Sequence, residues 1–354
     1  MELSAEQEFV IQEVLKFKNP IAKVGGFAGT GKTFLIKHLV EKYLPQFAVC
    51  AFTGKAAQML RKKGISEAST IHSLIYTPLL DGAGHIVLDK NGSPIFILSP
   101  TLGHEGIIID EASMVSKEIY EDLCSFGIPL IFVGDHGQLE PVGEGTNLMQ
   151  HPDYILETIH RNAGEIAYFA EFIRKGFRPA AFPTSGKIKF VGRYNVDKHL
   201  DLPDQIICAY NKTRVGINEK VRQNKGFVPN SPMVGDRVMC LRNDKKKFLF
   251  NGMQGEIVHL YKKPKNKMSF LSEGVQHEVL FDQGQFNREK YDFDGDRDAP
   301  APFDYAYCIT AHKSQGDEWN KVMVLEQKCQ HWDHRRWAYT AASRAKEMVI
   351  WVEM

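Results

Sequence analysis

Nowhere does this chain run apolar for the roughly 18 residues that a membrane-spanning helix needs, so such a helix is excluded. Its six cysteines (Cys50, Cys124, Cys208, Cys240, Cys308 and Cys329) lie far apart without a CxxC pair. That spacing excludes a zinc ribbon, argues against a disulfide frame and fits reduced thiols in a cytosol. Excess charge is missing too: 44 Lys and Arg stand against 43 Asp and Glu, a formal charge of +1. A uniformly basic nucleic-acid coat is thereby excluded, and any contact with a polyanion has to be a local patch. GxSxG and HExxH motifs, solenoid repeats and low-complexity tracts are all absent. The opening MELSAEQEF is acidic and polar, unlike a signal peptide. A soluble, cytoplasmic protein is expected.

What is present is a globular composition, 43% apolar and 25% charged, in a length that suggests about two domains. Residues 1–155 alternate short apolar strands (Ile21–Val24, Phe47–Phe52, Ile107–Ile109, Leu130–Val133) with stretches of helical spacing. Such alternation predicts a parallel sheet in an α/β fold. A thinner version recurs at about 156–234 and 305–354, with strands Gln205–Ala209, Tyr305–Ile309, Val322–Leu325 and Met348–Val352. Two α/β lobes joined near 150–160 are expected. Residues 77–104 interrupt the first lobe, and Asn91-Gly92 between two strand-like runs predicts a β-hairpin there. Residues 235–304 read as a small β-barrel of polarised charge. Leu241–Lys267 holds eight basic and two acidic residues, Leu271–Asp298 eight acidic and three basic. Two solvated faces of one small domain account for that pattern.

Gly26-Phe27-Ala28-Gly29-Thr30-Gly31-Lys32-Thr33 matches GxxxxGK[ST] directly after a strand and before helical spacing. Glycines at these positions let backbone N–H groups curl round phosphate oxygens, and the helix adds its N-terminal dipole. Lys32 is expected on the β and γ phosphates of ATP, and Thr33 on Mg²⁺. Ile107–Ile109 runs into Asp110 and Glu111, placing one carboxylate for the magnesium shell and its neighbour to polarise the attacking water. Alone, that pair would equally well cap the next helix. Leu130–Val133 leads to Gly134-Asp135-His136-Gly137-Gln138, which puts Gln138 in reach of the γ-phosphate, the bland alternative being an exposed turn. Three such strand ends agree with ligand binding at the carboxyl edge of a parallel sheet.

In chain order, the segments Gly26–Thr33, Ala51–Ala57 (AFTGKAA), Thr70-Ile71-His72, Asp110–Ser113 (DEAS), Gly134–Val142 (GDHGQLEPV), Ile159–Asn162 (IHRN), Thr310–Glu318 (TAHKSQGDE) and Tyr339–Ala345 (YTAASRA) cover most of the chain. Together they resemble a superfamily 1B DNA helicase of the RecD/Dda type, found in bacteria and bacteriophages. The resemblance implies two RecA-like P-loop lobes, 1A (1–76 and 105–155) and 2A (156–234 and 305–354). It adds an inserted β-hairpin pin, 1B (77–104), and an SH3-like barrel, 2B (235–304). It implies ATP-driven 5′→3′ translocation on single-stranded DNA and unwinding of tailed duplexes in replication, recombination or repair. A monomer is expected, with no membrane contact and with a single-strand-binding or replisome protein as a possible partner class. For a phage-encoded chain the location would be the host cytoplasm.

Carried over by residue, Gln7 resembles the adenine-reading glutamine, and Arg161 and Arg344 the two arginines presented to the γ-phosphate. Gly26, Gly29, Thr30, Gly31 and Gly316 join Lys32 and Thr33 around the nucleotide, and Glu318 resembles a ribose contact. Thr53, Thr70, His72, Thr310, His312 and Lys313 are implied for the DNA track, where hydroxyls, amides and a lysine suit sequence-independent phosphate contacts. His72 has an alternative as an ordinary packed histidine, and Arg344 as a surface arginine. Phe96 is the candidate for stacking on the separating base pair, against plain cross-strand packing. Lys245, Lys246 and Lys247 are candidate DNA contacts on the barrel. Asp292–Asp298 fails as a calcium loop, having Arg297 where the glycine belongs and Phe303 at the twelfth position. Cys329, His331 and His334 lack a fourth ligand at a familiar spacing. A small-molecule P-loop kinase and a binding factor with a vestigial ATPase are the competing classes. The first leaves the second lobe without work, and the intact Lys32, Thr33, Asp110 and Glu111 speak against the second.

Overall fold

The computed structural model describes residues 2–87, 95–139, 148–160, 164–229, 231–242, 244, 249, 251–272, 274–291, 299–328, 330 and 332–353. The chain divides into two compact units, one of residues 2–87, 95–182 and 332–343, the other of 183–330 and 344–353.

The first unit contains α1 (Ala5–Val14), β1 (Ile21–Gly26), α2 (Lys32–Lys42), β2 (Phe47–Ala51), α3 (Gly54–Lys62), β3 (Ser69–Thr70), α4 (Ile71–Ile75), β4 (Tyr76–Pro78), β5 (Phe96–Leu98), β6 (Gly106–Asp110), α5 (Lys117–Ser125), β7 (Leu130–Gly134), β8 (Tyr154–Leu156) and α6 (Gly164–Arg174). Six of its strands form a parallel sheet in the order β3-β2-β6-β7-β1-β8. Every residue of β2, β6 and β7 is buried, as expected where helices cover both faces of a parallel sheet. One core gathers Leu35, Ile36 and Leu39 of α2 with Val24, Val49, Ile108 and Val133. On the opposite face Ile107, Ile109 and Phe132 meet Ile119 and Leu123 of α5.

The register aligns the strand ends, with Ala51 opposite Asp110 and Gly25 opposite Gly134. Side-chain caps start the helices near that edge. Thr53 accepts from Ala56 N–H, and Thr70 from Ser73 N–H in a capping box.

The hairpin pairs β4 with β5 antiparallel, Pro78 opposite Phe96. Its described turn lies at Asp81–His85, where Asp81 Oδ1 accepts from the N–H groups of Ala83 and His85 at 2.9 Å each. Asp81-Gly82-Ala83-Gly84 is thus a second turn signal in this segment. Asn91-Gly92 lies outside the described residues.

The second unit has β9 (Ile188–Gly192), β10 (Gln205–Cys208), α7 (Asn211–Asn224), β11 (Arg237–Cys240), β12 (Gln254–Tyr261), β13 (Lys267–Ser272), β14 (Val275–Asp282), β15 (Ala301–Tyr305), β16 (Cys308–Thr310), β17 (Trp319–Glu326) and β18 (Ala345–Glu353). A parallel sheet runs β16-β10-β17-β18-β9, and β11 to β15 close a five-stranded barrel. The barrel is present as expected. The strand expected at Tyr305–Ile309 is instead two: Tyr305 pairs with Val238 in the barrel, while Cys308 pairs with Ile206 in the sheet.

A polar stripe on α7 holds the barrel to its lobe. Arg214 is salt-bridged to Asp304. One turn on, the Asn218 amide donates to the carbonyls of Tyr305 and Cys308 and accepts from Cys308 N–H. After a further turn, Arg222 grips Asp236 through two hydrogen bonds of 2.9 and 3.0 Å. All three side chains are buried. Asp236 precedes the barrel's first strand and Asp304 lies in its last, so one helix fastens both ends of the insertion.

Compactness divides the chain differently from the expected join at 150–160. Residues 156–182 belong with the first unit, because α6 packs on α8 (His334–Ala342), which also returns to it. None of the five described cysteines is in a disulfide. No described helix is long and apolar enough to cross a membrane.

Candidate nucleotide and nucleic-acid sites

The phosphate loop leaves β1 at Gly26 and enters α2 after Gly31. Gly29 and Gly31 have φ of 83° and 81°, the left-handed region that glycine adopts without penalty. A Cβ on Gly26 would lie 2.7 Å from Thr30 Oγ1, and one on Gly31 2.5 Å from Gln7 Nε2, so a side chain at either position would have to displace a neighbour. Thr30 Oγ1 donates to Phe27 O at 2.9 Å. Lys32 folds back on the loop, donating to Gly26 O and Phe27 O at 2.8 and 3.0 Å, with Asp135 Oδ2 3.9 Å away.

Gln7 is brought to this loop. It is buried, and its Nε2 donates to Thr30 O at 3.2 Å beside His160 Nε2, also 3.2 Å away. His160 N–H in turn donates to Gly29 O. The sequence reading gave His160 no role; its place in the Ile159–Asn162 segment was the only signal. Arg161 lies outside the described residues.

Asp110 ends β6 in the same edge, buried, with Glu111 N–H donating to its Oδ1 at 3.0 Å. Burial pushes the Asp110 carboxyl above the usual carboxylate range; that amide and the Lys32 and Lys63 ammoniums oppose the rise. Lys63 also donates to Thr33 Oγ1 at 3.4 Å. Thr33 and Asp110 therefore share a cationic neighbour, and the donor set, a hydroxyl with a buried carboxylate, suits a hard cation such as magnesium. Glu111 sits at φ 53°, a left-handed conformation uncommon for a residue with a side chain and concentrated at functional sites. It begins a short 3₁₀ turn, Ala112–Met114. If Glu111 activates water, Glu111→Gln lowers ATP turnover by about 10²–10⁴-fold and leaves nucleotide binding in place, as steady-state hydrolysis beside equilibrium titration would register.

Beyond β7, Gln138 is buried and donates to Asp135 Oδ2 at 3.2 Å, while its Oε1 has no hydrogen-bond partner among the described residues. Phe27, the second residue of the phosphate loop, lies between two groups: the Arg174 guanidinium 3.6 Å from its ring centre and the His136 ring at 4.2 Å. Burial lowers the His136 pKa. Phe27, His136 and Arg174 line a cavity of about 180 Å³ together with Asp333, Arg335 and Arg336 of the α8 segment. Arg174 and the α8 side chains were missed in the sequence, where each reads as an ordinary helical residue.

Thr53 and Thr70 lie together at the sheet edge, since Ala51 pairs with Thr70, and both hydroxyls serve as helix caps. His72 joins a small aromatic group, its ring 5.6 Å from Tyr76 and 6.4 Å from Phe52. Phe96 is partly exposed on β5.

In the second unit Thr310 ends β16 and leads to His312 and Lys313, both with pKa lowered by burial. Lys313 donates to Asn251 Oδ1 at 2.8 Å. Gly316 has φ 78°; beside it Arg344, buried, donates to Asp317 O at 3.4 Å, and Glu318 pairs with Lys346 at 3.4 Å. Gly316, Glu318 and Arg344 are thus neighbours within that unit. Lys245–Lys247, Asp292–Asp298, Cys329 and His331 lie outside the described residues.

A glycine-bounded phosphate loop, sharing one parallel-sheet edge with a buried aspartate and a strained glutamate, makes this a P-loop ATPase fold. Residues 2–192 match the family described as AAA domain, and residues 305–352 the UvrD-like helicase C-terminal domain. The chain belongs to the AAA domain family, within the superfamily 1B helicases of the RecD/Dda type. It is 23% identical to the ATP-dependent DNA helicase Pif1 of Bdellovibrio bacteriovorus, over 98% of this chain and 86% of that one. To the RecD2 DNA helicase of Deinococcus radiodurans it is 26% identical, over 98% of this chain but 48% of the relative. The dda helicase of Enterobacteria phage T4 is 23% identical over 80% of this chain and 72% of its own length. The fold is that of Bacteroides Pif1 bound to ssDNA, with a TM-score of 0.60 at 21% identity over 99% of this chain and 92% of that one.

Proposed function

We propose that the chain hydrolyses ATP to move 5′→3′ along single-stranded DNA and to separate the strands of a tailed duplex. The observation that carries this reading is the shared sheet edge. The phosphate loop, Asp110–Glu111 and Asp135–Gln138 stand at the carboxyl ends of β1, β6 and β7, and Thr53 and Thr70 stand at those of β2 and β3. Nucleotide chemistry and a run of hydroxyl-bearing helix starts thus share one rim.

In this reading Gln7 selects adenine and Lys32 leaves its loop carbonyls for the phosphates. Glu111 takes the proton of the attacking water and Gln138 orients it. Thr33 and Asp110 would hold a magnesium ion, whose charge neutralises phosphate oxygens. Arg344 and Arg161 would supply guanidinium groups to the charge that develops on the γ-phosphate. Gly316 and Glu318 complete the nucleotide contacts, Thr310, His312 and Lys313 continue the DNA track, and Phe96 stands at the fork. A cytoplasmic setting suits the five described cysteines, none of which is in a disulfide.

Two measurements test the reading. Single-stranded DNA should raise the steady-state ATPase rate. A track that neutralises about five phosphates should give a log–log slope of binding against salt near −3.5, from roughly −0.7 per phosphate. A slope indistinguishable from zero, or hydrolysis indifferent to the strand, contradicts it.

A further inference from the structure

Tyr339 lies near the end of α8 and is buried. Its hydroxyl accepts from the phosphate-loop amide of Ala28 at 2.7 Å and donates to Asp135 Oδ2 at 2.6 Å. One phenol therefore joins the loop after β1 to the loop after β7. Its ring meets Phe27 edge-on at 6.3 Å, and a Cβ on Gly137 would lie 3.2 Å from Tyr339 Cε1, so a side chain at 137 would crowd the ring. The next residue, Thr340, also bonds this region: its Oγ1 accepts from Leu139 N–H at 2.9 Å and donates to Arg336 O at 2.8 Å.

Asp135 is a buried carboxylate that must be held by donors. Four are on hand: Tyr339 O–H, Gly137 N–H at 2.9 Å, Gln138 Nε2 at 3.2 Å and, more distantly, the Lys32 ammonium at 3.9 Å. Lys32 is also the group that the nucleotide needs. When it turns to a phosphate, Asp135 is left with the other three donors and with the Arg174 guanidinium as its remaining positive neighbour. Without the Tyr339 hydroxyl the carboxylate would depend more on Lys32 and hold it back, and the Ala28 amide would lose its acceptor.

We propose that Tyr339 is a positioning residue for ATP hydrolysis: its hydroxyl fixes the phosphate loop against Asp135 and so frees Lys32 to act on the phosphates. It acts through Lys32 and the loop and touches no reacting atom. The proposal deepens the ATPase reading and rests on it.

The test compares wild type, Tyr339→Phe and Thr340→Val in ATP hydrolysis with and without single-stranded DNA, with kcat and KM measured separately and thermal unfolding recorded. Tyr339→Phe keeps the ring and should lower kcat about 10-fold, the factor that one hydrogen bond to a charged group is worth, while KM for ATP stays within about twofold. Thr340→Val loosens α8 at Leu139 and leaves the Ala28 and Asp135 bonds in place, so it should lower kcat less than Tyr339→Phe does. Wild-type kinetics in Tyr339→Phe overturn the proposal. So does an equal fall in kcat for Thr340→Val, which would mean that general loosening of α8 is responsible. A wild-type protein without ATPase activity would instead refute the functional reading, and the two failures are distinguishable on the same plate.

Discussion

Lys32→Ala should lower ATP turnover by about 10³-fold. Charge spreads over the phosphate oxygens as the terminal bond breaks, and one fixed donor at a developing oxyanion is worth about 10²–10³ in rate, with cationic donors in phosphoryl transfer reaching higher. In this structure the ammonium is held by two loop carbonyls, those of Gly26 and Phe27. These neutral acceptors can be exchanged for phosphate oxygens at little cost. Alanine removes the donor, but Phe27 O keeps its bond from Thr30 Oγ1 and Asp135 keeps the Tyr339, Gly137 and Gln138 donors, so folding should change little and the loss should fall on turnover. Lys32→Arg should recover little, because a planar fork cannot replace a point charge inside a loop that closes on the Lys32 stem. Steady-state hydrolysis with a thermal melt on the same preparation checks both halves. Turnover within tenfold of wild type would remove Lys32 from the chemistry.

Arg222→Ala should destabilise the second unit by about 3–5 kcal/mol, the cost of stripping one partner from a buried ion pair. Arg222 and Asp236 are both buried, and the guanidinium also donates to Ser231 O at 2.6 Å and lies 4.0 Å from the Tyr305 ring centre. Tyr307 O–H at 3.0 Å and Met233 N–H at 2.7 Å remain on Asp236 after the change, but neither brings a positive charge. The double variant Arg222→Ala with Asp236→Ala should recover part of the loss, because the orphaned charge is gone. Urea titration of the four proteins gives the coupling. A single-variant loss below about 1 kcal/mol would show that solvent reaches the carboxylate.

How legible these features were depended on whether their parts are contiguous. Gly26–Thr33 and Ile107–Glu111 are single runs, and strand, turn and helix signals in the same few residues fix their setting. The barrel was visible because its strands follow one another from 237 to 305. The α7 stripe was not. Arg214, Asn218 and Arg222 look like the solvated face of a polar helix, and their acidic partners arrive only at 236 and 304.

In the sequence Tyr339 is one letter of a motif, and its partners are 204 and 311 residues away. Tyr305–Ile309 reads as one strand, yet the chain changes sheets inside it, since hydrogen-bond partners and not hydropathy decide where a strand ends. The compact units divide at 182 and not at 150–160 for a related reason. The strand pattern thins after 155, but α6 buries Ile166, Phe169 and Ile173 on the first unit's side of the division, where α8, contributed by the far end of the chain, packs on it.

The most direct test of the account is unwinding of duplexes that carry a single-stranded tail at either the 5′ or the 3′ end, with ATP hydrolysis followed in the same reactions. Stimulated hydrolysis and strand separation from the 5′ tail alone are the predicted result. Unwinding from the 3′ tail, or hydrolysis that ignores DNA altogether, would contradict it.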